Sequence, residues 1–279
     1  MPAPRTYPAG VTSWVDLEVA ELDTARDFYG GLFGWTFTQA TPDSAPFRYL
    51  VAQLDGQDVA GLGTPLKERE GPPQWTTYVA VDDADATVAL VESRGGSVVD
   101  APGDAGEGGR SALCADPEGV RFGLWQARRR LGSQVTNVPG AWNFSDLHSA
   151  DPEGAPAFYS AVFGWEVADL GFARLIRRPG YGDHLASTTD PTIRERQAEI
   201  SAPPGFADAI GWVVQLDADE TPHWHVSFTV ADRDAVAETA ERLGGTVIGT
   251  RDTDWTLEAL IADPVGARFT ASQFEPDGT

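Results

Sequence analysis

The chain has 279 residues, 42% of them hydrophobic and 22% charged, which is enough apolar content to fold around more than one core. A formal net charge of −22 repels phosphate backbones and anionic headgroups and so disfavours nucleic acid and acidic membrane surfaces as partners. The single cysteine excludes an internal disulfide and fits a reducing cytoplasm, and with no basic leader and no run of about 18 apolar residues, neither export nor membrane insertion is expected.

The first element is "WVDLEV", whose alternation puts Val15, Leu17 and Val19 on one face and Trp14, Asp16 and Glu18 on the other. A helix follows, expected to begin with Asp23 as its cap and to carry Ala25, Phe28, Tyr29, Leu32 and Phe33 as one apolar stripe. Phe28 and Tyr29 are therefore core residues rather than a cofactor platform. Residues 75–96, "WTTYVAVDDADATVALVESRGG", read as a strand and a helix closed at Gly95-Gly96, where glycine adopts the left-handed conformation. After the turn "ADPEG" from Ala115, Val120, Phe122 and Leu124 oppose Gly123 and Trp125.

The same elements then recur. "FYGGLFGW" (Phe28 to Trp35) returns 130 residues later as "FYSAVFGW" (Phe158 to Trp165), and "WHVSFTVADRDAVAETAERLGG" answers the second unit with Trp224 lying 149 residues after Trp75. Two copies of one domain are fused, at 1–132 and 133–279, and the second holds 19 extra residues in an insertion around 178–210. That insertion is rich in Gly and Pro (Gly180, Gly182, Pro191, Pro203, Pro204, Gly205) and has a helix-like run from Thr192 to Glu199; it reads either as a lid or as a clamp over the junction of the copies. In "HWHVSFTV", Trp224, Val226, Phe228 and Val230 form the buried set, and His223, His225, Ser227 and Thr229 share the polar side. The last strand sets Ala267, Phe269 and Ala271 against Thr270 and Ser272.

Sheets with helices on one face and a mixed lining on the other would form cups. Trp35, Trp75, Trp165 and Trp224 flank matched elements and belong to the core, which leaves Trp14, Tyr78, Trp125 and Phe144 to stack on a planar or hydrophobic ligand. Asp16 and Asp146 occupy matching positions; each either bonds neighbouring backbone or a facing strand, or orients a ligand hydroxyl, or acts as a base, and Glu18 shares the face of Asp16. His148 follows Asp146 on the same face, and His225 is expected on a strand nearby. Together they make an acid/base set or a sparse iron site, against the alternative of histidines that are simply solvated or hydrogen-bonded. Cys114 reads as a small core residue.

The segments "DLEVAELDTARDFYGGLFGW" and "DLHSADPEGAPAFYSAVFGW", the strand and helix units ending in Gly-Gly, and the Asp-Pro-x-Gly turns at Asp116 and Asp263 resemble the vicinal oxygen chelate superfamily. That superfamily includes glyoxalase I, extradiol dioxygenases and the bleomycin and fosfomycin resistance proteins; the resemblance spans nearly the whole chain and points to its tandem actinobacterial glyoxalase-like members. It implies an α+β fold of four βαβββ modules forming two cup-shaped half-barrels. The family's first-strand histidine falls on Trp14 and Phe144, its second histidine on Thr76 and His225, its glutamate on Gly123 and Thr270, and its remaining acidic position near Gly61 and Gly211. Only His225 could ligate, and a divalent ion normally takes three or more protein ligands, so neither metal nor cofactor is expected. The resemblance then implies a metal-independent small-molecule binding protein that sequesters or presents a planar or aromatic compound. The alternative is a glyoxalase-like lyase, isomerase or oxygenase acting on a carbonyl or vicinally oxygenated compound through Asp146, His148 and His225. One chain carries both copies, so a monomer is the expected working unit.

Overall fold

The computed structural model describes residues 5–67, 71–171, 173–199, 202–217 and 220–275. Four βαβββ modules follow one another. The first is β1 (Thr12–Glu18), α1 (Leu22–Phe33), β2 (Thr36–Gln39), β3 (Tyr49–Leu54) and β4 (Gln57–Gly63), and the second is β5 (Trp75–Ala80), α2 (Ala84–Ser93), β6 (Ser97–Asp104), β7 (Gly109–Ala115) and β8 (Arg121–Ala127). The third is β9 (Trp142–Ser149), α3 (Ala155–Phe163), β10 (Glu166–Asp169), β11 (Arg174–Arg177), the inserted α4 (Tyr181–Thr188) and α5 (Ile193–Glu199), a 3₁₀ turn at Phe206–Asp208, and β12 (Ala209–Gln215). The fourth is β13 (His223–Thr229), α6 (Arg233–Arg242), β14 (Thr246–Asp252), β15 (Thr256–Ala262) and β16 (Arg268–Phe274). The strands form two open eight-stranded sheets, ordered β2-β3-β4-β1-β5-β8-β7-β6 and β10-β11-β12-β9-β13-β16-β15-β14. This is the α+β arrangement of vicinal oxygen chelate half-barrels.

Packing groups these modules into two compact units that interleave along the chain: Met1–Trp14, Thr77–Gly132 and Phe144–Trp224 make one, and Val15–Thr76, Ser133–Asn143 and His225–Thr279 make the other. In the first, the stripe of α3 meets the second module. Tyr159 is buried among Phe122, Phe158, Phe163, Trp165 and Trp224, its ring stacked on Trp165 at 5.1 Å. Its hydroxyl donates to Asp116 Oδ2 at 2.9 Å and accepts Trp224 Nε1–H at 3.1 Å. Asp116 Oδ1 accepts the amides of Glu118 and Val120, which is why the Asp-Pro-x-Gly turn begins with an aspartate. The second unit repeats this with other residues: Tyr29 donates to Asp263 Oδ2 at 2.9 Å and accepts Trp75 Nε1–H at 3.2 Å, among Phe28, Phe33, Trp35, Phe228 and Phe269. The Phe-Tyr pairs and the four matched tryptophans are thus core, as their helical and flanking positions predict. Val15, Leu17 and Val19 are likewise buried.

Helix ends follow the sequence with one correction. The helix expected to be capped by Asp23 starts instead at Leu22, with Glu21 at the cap position and no side-chain cap bond. Asp23 lies in the first turn and its carboxylate meets Arg26 at 2.8 Å and Arg48 at 3.4 Å, so ion pairing and the helix dipole occupy the group that would have capped. Asp83 and Asp232 do cap α2 and α6, each accepting an amide at 2.9 Å. Both helices close at a left-handed glycine, Gly95 (φ 88°) and Gly244 (φ 90°).

The insertion is helical and packed. Tyr181, Leu185 and Ile193 enter the core of the first unit, Arg5 donates to the Tyr181 hydroxyl at 3.0 Å, and His184 donates to the carbonyl of Thr6 at 3.0 Å. Among the described residues no helix is long and apolar enough to cross a membrane.

Candidate functional site

Strand β9 separates two sets of side chains. Ser145, Leu147 and Ser149 are fully buried, while Phe144, Asp146 and His148 point the other way and are half-buried. Phe144 meets Phe206 of the 3₁₀ turn edge-on at 6.4 Å, and Phe206 meets Trp212 of β12 at 6.1 Å. These rings form an aromatic wall contributed by the third module and its insertion. Gly211 lets β12 run close to β9, since a Cβ there would sit 2.2 Å from the Ser145 carbonyl oxygen.

The polar end of this face is organised. Asp146 Oδ1 accepts the Trp212 amide at 3.1 Å, which ties the carboxylate to the strand that carries the wall. The His148 ring lies 4.7 Å from that of His223, and His148 Nδ1 sits 3.3 Å from Glu220 Oε2. Burial and the neighbouring His223 hold His148 below the ordinary histidine value of 6.5, against the opposing pull of Glu220, so its neutral form is favoured. His223 donates from Nδ1 to the Thr221 carbonyl at 2.9 Å. His225 is buried, with Nε2 2.8 Å from Thr270 Oγ1. His148 and His223 thus share one unit, while His225, expected to act with His148 and Asp146, belongs to the other.

The residues expected on the first sheet have different neighbours. Trp14, Tyr78 and Trp125 are half-buried. Tyr78 covers Gly123, where a Cβ would meet its ring at 2.1 Å, and Trp125 donates to the Arg130 carbonyl at 2.8 Å while covering Gly109. In the second unit Asp16 is only 4% exposed and accepts the Tyr49 hydroxyl at 3.0 Å, and Tyr49 in turn fills the space over Gly61. Glu18, next on that face, is half-buried. Cys114 is buried, and burial with the nearby Glu92 carboxylate pushes its thiol up to about 11, which keeps it protonated and unreactive at neutral pH.

Three of the wall and end residues escaped sequence reasoning. Phe206 lies in an insertion without periodicity, Trp212 is the single aromatic next to a glycine on a buried strand, and Glu220 is in a connecting segment. His223 was readable on the polar side of β13, but alternation cannot show that β9 delivers His148 to it.

The donors at the family's metal positions do not fit a metal. Gly123 and Gly61 lie under tyrosine rings, Gly211 lies against a carbonyl, Phe144 and Trp14 are aromatic, and the Thr270 hydroxyl is bonded to His225. His225 alone among these positions is an imidazole, where the family needs three or four ligands.

Residues 12–124 match the model of the Glyoxalase/Bleomycin resistance protein/Dioxygenase superfamily, and residues 142–272 match that of the Glyoxalase-like domain. "Putative glyoxylase CFP32" of Mycobacterium tuberculosis is 33% identical over 99% of both chains. The "Anthracycline biosynthesis protein DnrV" of Streptomyces peucetius is 33% identical, covering 95% of this chain and 93% of its own. The fold is shared with a Mn(II)-bound glyoxalase from Novosphingobium aromaticivorans, at 17% identity and a TM-score of 0.60 over 95% of this chain and 82% of that one. It is also shared with a variant of homoprotocatechuate 2,3-dioxygenase from Brevibacterium fuscum, at 13% identity and a TM-score of 0.59 over 99% of this chain and 73% of that one. The tandem modules, the repeated Tyr-Asp-Trp core and these matches together make the chain a member of the Glyoxalase/Bleomycin resistance protein/Dioxygenase superfamily.

Proposed function

We propose that the chain binds a planar aromatic small molecule against the Phe144, Phe206 and Trp212 wall, with His148, His223 and Glu220 meeting oxygen substituents at one end. The observation that carries this reading is the pairing of part-exposed rings with a fixed polar cluster on one strand face, the lining that small-molecule sites use. The names of the Streptomyces relatives give the ligand its direction, since anthracyclines are planar polycyclic compounds bearing hydroxyl and carbonyl groups. The reading needs no metal at the family's inherited positions. It treats the working unit as a monomer that acts in the cytoplasm, with domains at 1–132 and 133–279.

Titration calorimetry with the hydroxyanthraquinone quinizarin tests this. Wild type should bind, and Phe144→Ala and Trp212→Ala should each weaken binding by about 1 to 2 kcal/mol, the value of a lost aromatic contact with its buried area. Undiminished binding in both variants would overturn the assignment.

A second reading, catalysis on a carbonyl or vicinally oxygenated compound, is favoured by one observation: His148 is held toward its neutral form beside Glu220, the arrangement of a general base backed by a carboxylate. Asp146 serves that reading less well because the Trp212 amide engages it. Turnover of an α-hydroxy ketone that survives Asp146→Asn and is lost in His148→Gln would support it.

A further inference from the structure

We propose, resting on the reading of Phe144, Phe206 and Trp212 as a stacking surface, that Arg177 is the anion-recognising end of that surface. The ligand is then a planar aromatic that bears a carboxylate or an ionised phenol.

Strand register places Arg177 on the ligand side of the sheet. Leu175 of β11 pairs with Trp212 of β12, and directly paired residues of an antiparallel ladder project to one face, so Arg177, two residues after Leu175, joins the face of Trp212. On its other side β10 pairs Glu166 with Arg177, and the side chains do meet: Arg177 Nη2 donates to Glu166 Oε2 at 3.3 Å. His148 pairs with Val214 on the same face of β12, whereas Arg177 pairs with Ala209 at the start of that strand. Those two partners are separated by about 15 Å of strand rise. The wall therefore has a histidine end and a guanidinium end.

Two observations concern the guanidinium itself. It lies against the turn that carries Phe206: a Cβ on Gly205 would sit 2.5 Å from Arg177 Nη1 and 3.5 Å from Cζ, so glycine at 205 admits the cation one residue from the ring. Its Nε is buried and has no hydrogen-bond partner among the described residues. A buried donor left unmatched costs the desolvation of that group, and a carboxylate bridging Nε and Nη2 would remove the cost with two charge-assisted bonds. Glu166 does not do this, since it bonds Nη2 alone and its side chain is largely exposed, where an ion pair is worth little. An oxyanion at the end of a stacked ring would displace it from the fork. In a chain of net charge −22 the bulk field repels anions, so a local fork of this kind is what would select an acidic aromatic.

The test uses a matched pair, anthraquinone-2-carboxylate and 2-(hydroxymethyl)anthraquinone, each titrated by calorimetry into the full-length protein at neutral pH. Wild type should bind the carboxylate at least about tenfold more tightly than the alcohol, as a charge-assisted fork requires. Arg177→Met keeps a stem to pack on Gly205 and should abolish the preference by weakening the carboxylate alone, while Arg177→Lys should keep part of it. Glu166→Gln removes the competing carboxylate and should tighten anthraquinone-2-carboxylate about twofold. Circular dichroism checks that each variant folds, and Arg177→Gln replaces Arg177→Met if that chain does not. Equal affinity of wild type for the two compounds, a preference that survives in Arg177→Met, or equal weakening of both compounds in that variant would overturn the proposal and leave the stacking surface standing. Failure of wild type to bind either compound would overturn both.

Discussion

Tyr159 with Asp116 and Trp224 in one unit, and Tyr29 with Asp263 and Trp75 in the other, make the same hydrogen bonds, with the Tyr–Asp contact at 2.9 Å in both. Asp146 and Asp16 also occupy repeated positions, yet one accepts a backbone amide beside an aromatic wall and the other a tyrosine hydroxyl. The difference is energetic. A buried hydroxyl and carboxylate that lose a partner cost the full desolvation of the group left behind, so all three members of each core set are held together. The half-buried positions of the strand face carry a smaller penalty and can diverge, with Trp14 and Glu18 on β1 corresponding to Phe144 and His148 on β9, while the buried Asp16 and the half-buried Asp146 keep the carboxylate and change its partner.

The largest effect that would break this comparison is on stability. Asp116→Ala removes three accepted hydrogen bonds and strands the Tyr159 hydroxyl, and should cost about 3 kcal/mol in chemical denaturation, with Asp263→Ala costing a similar amount. Unequal costs would mean that the two cores are not equivalent.

Next in size, Gly61→Ala and Gly123→Ala put a methyl group 2.0 Å from the Tyr49 hydroxyl and 2.1 Å from the Tyr78 ring. Each should destabilise by about 1 to 3 kcal/mol, the range for forced overpacking. A neutral result at Gly123 would show that Tyr78 swings away readily and would strengthen the case for Trp14, Tyr78 and Trp125 as a ligand surface.

The smallest effect is on pH dependence. Because the folded state holds the His148 pKa below 6.5, the unfolded chain binds more protons in the window between the two values, and stability falls as pH drops through it. Melting temperature should therefore decline between pH 7 and 5 in wild type, and the decline should flatten in His148→Gln. An equal decline in the variant would place the titrating group elsewhere.

Most of the fold was legible because repeated motifs, alternation and the Asp-Pro-x-Gly turns are local signals. Leu17 and Phe228, for instance, declare their burial by spacing alone. The start of α1 was misread because Asp23 is a good cap residue by type, and only the positions of Arg26 and Arg48 show where its charge is used. The site was half legible. Phe144, Asp146 and His148 sit on a strand whose faces can be read, but Phe206 and Glu220 come from segments without a period, and their approach to β9 is a tertiary fact.

The most direct test of the central claim, that the functional surface is the face of β9 and β12, is a fluorotryptophan spectrum recorded during quinizarin addition. Each of the nine tryptophans is assigned by single substitution. The account predicts that the Trp212 resonance shifts with saturation while those of Trp14 and Trp125 stay in place; shifts at Trp14 or Trp125 with Trp212 unmoved would contradict it.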